Sequence, residues 1–122
     1  YASRGLGDVY KRQVLWGLWH LPLNLFFYSP ETTLQSIASQ LAVCMTLGVF
    51  FTFAYEKCGK NIWVPILLHY LNNNMILVWT GTADISNQVI RWADVGVSAV
   101  MYAAVFLPFL AAKCYRRGEK AV

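Results

Sequence analysis

Hydrophobic positions run on without a charge along most of this chain, and the polar positions gather between the runs. Val14–Pro30, Thr32–Tyr55, Asn61–Ala83 and Val95–Ala112 contain no Asp, Glu, Lys or Arg. Helices of a soluble domain carry charged faces at helical spacing, and these runs have none. A helix needs roughly 20 apolar residues to cross the hydrocarbon core of a bilayer. The second and third runs reach that length, and the fourth does so if its helix begins near Val89. The first is short at its amino end. The pattern predicts an all-α fold, a polytopic transmembrane helix bundle of about four helices over 14–28, 34–56, 62–80 and 88–113.

Local punctuation agrees with those boundaries. Pro22 falls inside the first helix, where its ring removes a backbone donor and frees the carbonyl of Leu18, so a kink is expected there. Ser29–Thr33 is a turn, and Thr32 or Thr33 is placed to cap the second helix. Ser36, Ser39, Gly48 and Ala54 give that helix small residues suited to close helix contact. Lys57-Cys58-Gly59-Lys60 reads as a tight turn with Gly59 suited to a left-handed terminus. Pro65 lies in the first turn of the third helix, where proline is tolerated. Arg91 and Asp94 are three apart near the start of the fourth and are expected to pair structurally.

Charge orients the bundle. The 122-residue chain carries a formal +4, but its basic residues cluster at hydrophobic ends, Lys57/Lys60 and Lys113/Arg116/Arg117/Lys120. That distribution marks the cytoplasmic side of membrane proteins rather than a nucleic-acid footprint. The other connections hold only Glu31 and Asp84. The helices then alternate outward, inward, outward, inward and leave the carboxyl terminus in the cytoplasm. Tyr28, Tyr55, Trp63, Trp79 and Tyr115 fall near the boundaries, as interfacial aromatics do. Cys44, Cys58 and Cys114 suggest neither a disulfide framework nor a zinc knuckle; Cys44 reads as packing.

The amino end disagrees in character with the rest of the chain. Tyr1–Gln13 is polar and ends in Asp8-Val9-Tyr10-Lys11-Arg12-Gln13 before breaking into the apolar run at Val14. That ending looks like a translated end of the adapter used in transposase-based DNA library preparation. Residues 1–13 are therefore set aside as non-native, and 14–122 are read as part of one membrane domain that lacks its amino-terminal portion. The alternative is a genuine basic cytoplasmic segment, with which the topology agrees equally well.

Candidate chemistry sits inside the apolar runs. His20 lies in Trp16-Gly17-Leu18-Trp19-His20-Leu21-Pro22, and His69 in Pro65-Ile66-Leu67-Leu68-His69-Tyr70-Leu71-Asn72-Asn73-Asn74. A polar side chain at membrane depth is costly, and one that is kept usually faces a protein interior with a task there. His69 and Asn73 are four apart and stack on one helix face. Antiparallel neighbours could bring His20 to the same interior point. Neutral imidazole is the form that binds a metal or accepts a proton. A purely structural hydrogen bond between helices is the competing reading for either histidine alone. Asn72 and Asn74 are expected to make helix contacts or caps.

At these residues the chain resembles the CPBP intramembrane proteases, the group of type II CAAX prenyl endopeptidases and bacterial Abi proteins. Trp16-Gly17-Leu18-Trp19-His20-Leu21-Pro22 is similar to their Phe-x-x-x-His motif, with Trp16 in place of Phe. His69-Tyr70-Leu71-Asn72-Asn73 matches their His-x-x-x-Asn motif, and Tyr55–Leu68 is similar to the run leading into it. The resemblance covers about Leu15–Leu77. Their first motif, Glu-Glu-x-x-x-Arg, is absent, since Glu31 and Glu56 have neither a paired acid nor a placed Arg.

The resemblance implies an intramembrane endopeptidase that hydrolyses peptide bonds of membrane-associated substrates with glutamate-activated water, the glutamates lying outside this chain. His20, His69 and Asn73 would be its catalytic residues: the histidines position the water, and Asn73 donates to the oxyanion. His20 and His69 would also be the metal ligands if the enzyme uses zinc, although a metal-free glutamic mechanism fits the same residues. The partners implied are a peptide or protein substrate and the lipid bilayer, with no nucleic acid, in a bacterial cell membrane. This chain alone is expected to be inactive. Two alternatives stay open: a non-catalytic binding or immunity protein of the same fold, and a transporter segment using the histidines as relays.

Overall fold

A computed structural model describes residues 6–82, 84–112 and 115. Among these residues every regular element is helical: α1 (Leu6–Trp19), α2 (Thr33–Lys57), α3 (Trp63–Thr80) and α4 (Trp92–Phe106), joined by short irregular turns. The all-α bundle of about four helices is thus the observed architecture. The basic tail 116–120, Lys113, Cys114 and the first five residues lie outside the described residues, and the side chain of Trp79 likewise.

Two boundaries differ from the sequence expectation. The first helix starts at Leu6 rather than Val14 and stops at Trp19, ahead of Pro22. Leu21–Leu23 then forms one isolated turn and Asn24–Tyr28 a π turn. Proline's missing donor ends the α1 ladder where expected, and the chain re-forms helix with a wider pitch rather than running straight to Tyr28. The fourth helix begins at Trp92, because Arg91 is extended and Asp94 accepts its backbone N–H at 2.9 Å. Its last stretch, Leu107–Ala111, tightens to a 3-10 turn carrying Pro108.

Small residues let α1 and α2 approach closely. A Cβ on Gly17 would fall 2.4 Å from Leu41 Cδ2, and one on Gly48 would collide with the Gln13 amide. Gln13 opposite Gly48 and Gly17 opposite Leu41 make the two helices antiparallel. On the other side of α2, Phe50 packs on Phe106 and Phe109 at ring separations of 5.4 and 5.0 Å, and Phe53 on Phe109 at 4.9 Å. Those pairs run α2 and α4 parallel, as strict alternation of the helices requires. The core lies along α2, where Cys44, Leu47 and Val49 are buried.

Thr32 and Thr33 do not cap α2 with their hydroxyls. Thr33 Oγ1 donates back to the carbonyls of Ser29 and Pro30. Thr32 Oγ1 instead accepts the Ile90 N–H at 2.9 Å. Asn87 and Gln88 donate their N–H groups to the carbonyls of Phe27 and Tyr28. The loop before α4 is therefore stitched to the turn after α1. At the opposite end Gly59 takes φ +69°, as expected for the tight turn, and Lys60 follows it at φ 62°.

Among the described residues two stretches are long and apolar enough to cross a membrane, Pro30–Lys57 and Trp92–Ala111, each with mean hydropathy 1.8. None of the second is buried within the chain. Helix α3 has 18 residues, and His69 and Asn72–Asn74 lie within its uncharged run. Its outer surface exposes Trp63, Leu67, Tyr70, Leu71 and Val78.

Candidate active site

His20 sits where α1 ends. Its backbone N–H still reaches the carbonyl of Gly17 at 3.1 Å, and its own carbonyl accepts the N–H of Asn24 at 3.0 Å. Its ring Nδ1 lies 2.8 Å from the carbonyl of Trp16. A carbonyl only accepts, so Nδ1 carries the proton and Nε2 is left with its lone pair. A backbone carbonyl holding one imidazole nitrogen while the other stays available fixes both tautomer and ring orientation.

His69 is held differently. It lies in the middle of an unbroken helix, so Asn73 one turn later comes onto the same face. Asn73 Nδ2 donates to His69 Nε2 at 3.0 Å, which puts the His69 proton on Nδ1. Asn72 Nδ2 donates to Asn73 Oδ1 at 3.5 Å and orients that amide. Asn74 donates to the Tyr70 carbonyl at 2.7 Å. Asn72 and Asn74 thus bond within α3 rather than bridging helices or capping one.

Trp16 joins the two histidines. Its ring meets His69 edge-on at 4.9 Å and His20 at 6.1 Å, and it stacks on Phe51 of α2 at 5.9 Å. Phe51 also faces His69 at 6.2 Å. Three helices therefore supply one cluster: α1 gives Trp16 and the histidine at its end, α2 gives Phe51, and α3 gives His69 with Asn73. Beside it opens a cleft of about 770 Å³, with Trp16, Phe51, Pro65, Ile66 and His69 among its apolar and aromatic lining. Glu56, Arg12 and Lys11 line the same cleft. Aromatic floors with a few polar groups are usual for sites that take a small ligand or an extended chain.

A catalytic zinc is held by three protein ligands, of which His20 and His69 would be two. Among the described residues no group of three His, Cys, Asp or Glu side chains converges, and the His69 Nε2 lone pair is engaged by Asn73.

One residue escaped the sequence reading. Asn24 is 1% exposed, and its Oδ1 accepts the hydroxyl of Ser36 on α2 at 2.7 Å. A signal was present: His20 and Asn24 repeat the His-x-x-x-Asn spacing of His69 and Asn73.

An all-helical chain whose apolar helices gather two histidines and an asparagine beside an open cleft defines the class, that of an intramembrane enzyme or binding protein built on such a cluster. A profile of the family described as type II CAAX prenyl endopeptidase Rce1-like matches residues 9–75, more than half of the chain and all of the cluster. The chain belongs to that family, and it is an integral membrane protein with a CAAX-type protease fold. No curated protein and no solved structure matches it.

Proposed function

We propose that this chain carries the histidine and asparagine half of an intramembrane endopeptidase that cuts membrane-associated protein substrates with glutamate-activated water. One observation supports this reading most: His20 and His69 share Trp16, and Asn73 is bonded to His69, beside one cleft. In this reading the glutamate lies outside the residues that form the cluster. It takes a proton from water as the water oxygen attacks the scissile carbonyl, and returns that proton to the departing amine. His20 Nε2 accepts a hydrogen bond from the same water and holds it in line. Asn73 spends one N–H on His69 and has a second with no partner among the described residues. That second N–H donates to the oxyanion, where such donors contribute about 3–4 kcal/mol. In this reading the chain sits in a bacterial cell membrane with its carboxyl terminus in the cytoplasm.

The test uses the intact protein, with its upstream sequence, in proteoliposomes holding a quenched fluorescent membrane-anchored peptide. Cleavage by the intact protein and none by the 122-residue chain is the expected result. Tight peptide retention without cleavage would replace the peptidase with a binding protein, and ion flux without cleavage would replace it with a transporter.

A further inference from the structure

Asn24 is among the best-buried large side chains in the described residues, yet it takes no part in the cluster. It opens the π turn Asn24–Tyr28, immediately after the segment that carries His20. Its backbone N–H holds the His20 carbonyl at 3.0 Å. Its side chain turns away from His20 and receives the Ser36 hydroxyl at 2.7 Å. The other half of the amide, Nδ2, is buried with no hydrogen-bond partner among the described residues. Burying an amide is costly unless it is bonded, so the Ser36 bond is what offsets the burial of Asn24.

We propose that Asn24 is a positioning residue for His20, acting through its clamp to Ser36. Pro22 has no N–H for the Leu18 carbonyl, so the hydrogen-bond ladder of α1 is interrupted beside His20. The backbone of His20 is held from one side by Gly17 and from the other by Asn24. Asn24 in turn is fixed to α2, the helix that also supplies Phe51 to the cluster. The clamp therefore refers His20 to the same element that Trp16 stacks on, and it keeps the Nδ1–H on the Trp16 carbonyl. π turns of this kind occur often where a side chain must be re-aimed. That His20 has a catalytic task rests on the endopeptidase reading; that Asn24 holds it in place does not.

The chain has two histidines, so an imidazole-labelled NMR spectrum in lipid nanodiscs contains its own control. Ser36→Ala and Asn24→Ala should each raise hydrogen exchange of the His20 Nδ1–H about fivefold or more, as expected for losing one hydrogen bond. The double variant should exchange no faster than either single one, since both remove one bond. Ser36→Thr, which keeps the hydroxyl, should exchange like the parent. The His69 ring signals should stay unchanged throughout. Unaltered His20 exchange in both alanine variants overturns the proposal. So does a matching change at both rings, which would mean general loosening of the bundle. Because the readout needs no turnover, an intact protein that fails to cleave would remove the endopeptidase reading while leaving this result standing.

Discussion

The two His-x-x-x-Asn segments share a spacing and differ in what the asparagine does. In α3 the helix is continuous, so Asn73 stacks one turn beyond His69 and donates to its ring. After α1, the Asn24 N–H closes the same i→i−4 backbone bond on the His20 carbonyl, but its side chain turns to Ser36 of α2 instead of to the ring. One histidine is oriented by its own helix; the other is oriented by a backbone carbonyl and by contact with a neighbouring helix. Equal spacing in sequence places both asparagines one turn beyond a histidine, and the neighbouring helix decides which partner the side chain takes.

That contrast can be broken at several points. The largest effect is expected at Asn73, where Asn73→Ala in the intact protein removes both the oxyanion donor and the partner of His69. A loss of about a hundredfold or more in kcat, with KM little changed, is the expected outcome of steady-state cleavage assays. A smaller effect on packing is expected for Gly17→Val. Its side chain meets Leu41 Cδ2 at a distance no real Cβ shows, so Leu41 must turn aside or α1 move off α2, at about 1–3 kcal/mol. Thermal unfolding in detergent should register it, and Gly96→Ala, with open space around it in a helix interior, should not lower the midpoint. Thr32→Val should be smaller still. It removes the acceptor of the Ile90 N–H, costs about 1 kcal/mol, and should expose that amide in hydrogen-exchange mass spectrometry.

The smallest effect concerns the loop before α4. The Ser86 hydroxyl and then its N–H, at 2.7 and 3.0 Å, hold the Asp84 carboxyl below the usual carboxylate range. A lowered value means the turn is intact above that range and opens only as pH falls through the Asp84 titration. Protection of the Ser86 amide should show that sign, with no change on the alkaline side.

Much of the fold was legible in the chain because uncharged length and turn residues are local signals. The helix count, the kink at Pro22, the Gly59 turn and the Arg91–Asp94 pair all come from them. The partners of Thr32 and Asn24 were not legible, since both depend on which helix lies alongside. Of the candidate cluster, His69 with Asn73 could be read from helical spacing alone. The meeting of His20 with His69 needed Trp16 and Phe51, and aromatic bridges between helices leave no periodic trace.

The most direct test is His69→Ala in the intact protein, with cleavage of the membrane-anchored peptide scored against the amount inserted. The account predicts normal insertion and cleavage reduced at least a hundredfold, because His69 holds the Asn73 amide that donates to the oxyanion. Cleavage at the parental rate by a normally inserted variant would contradict it.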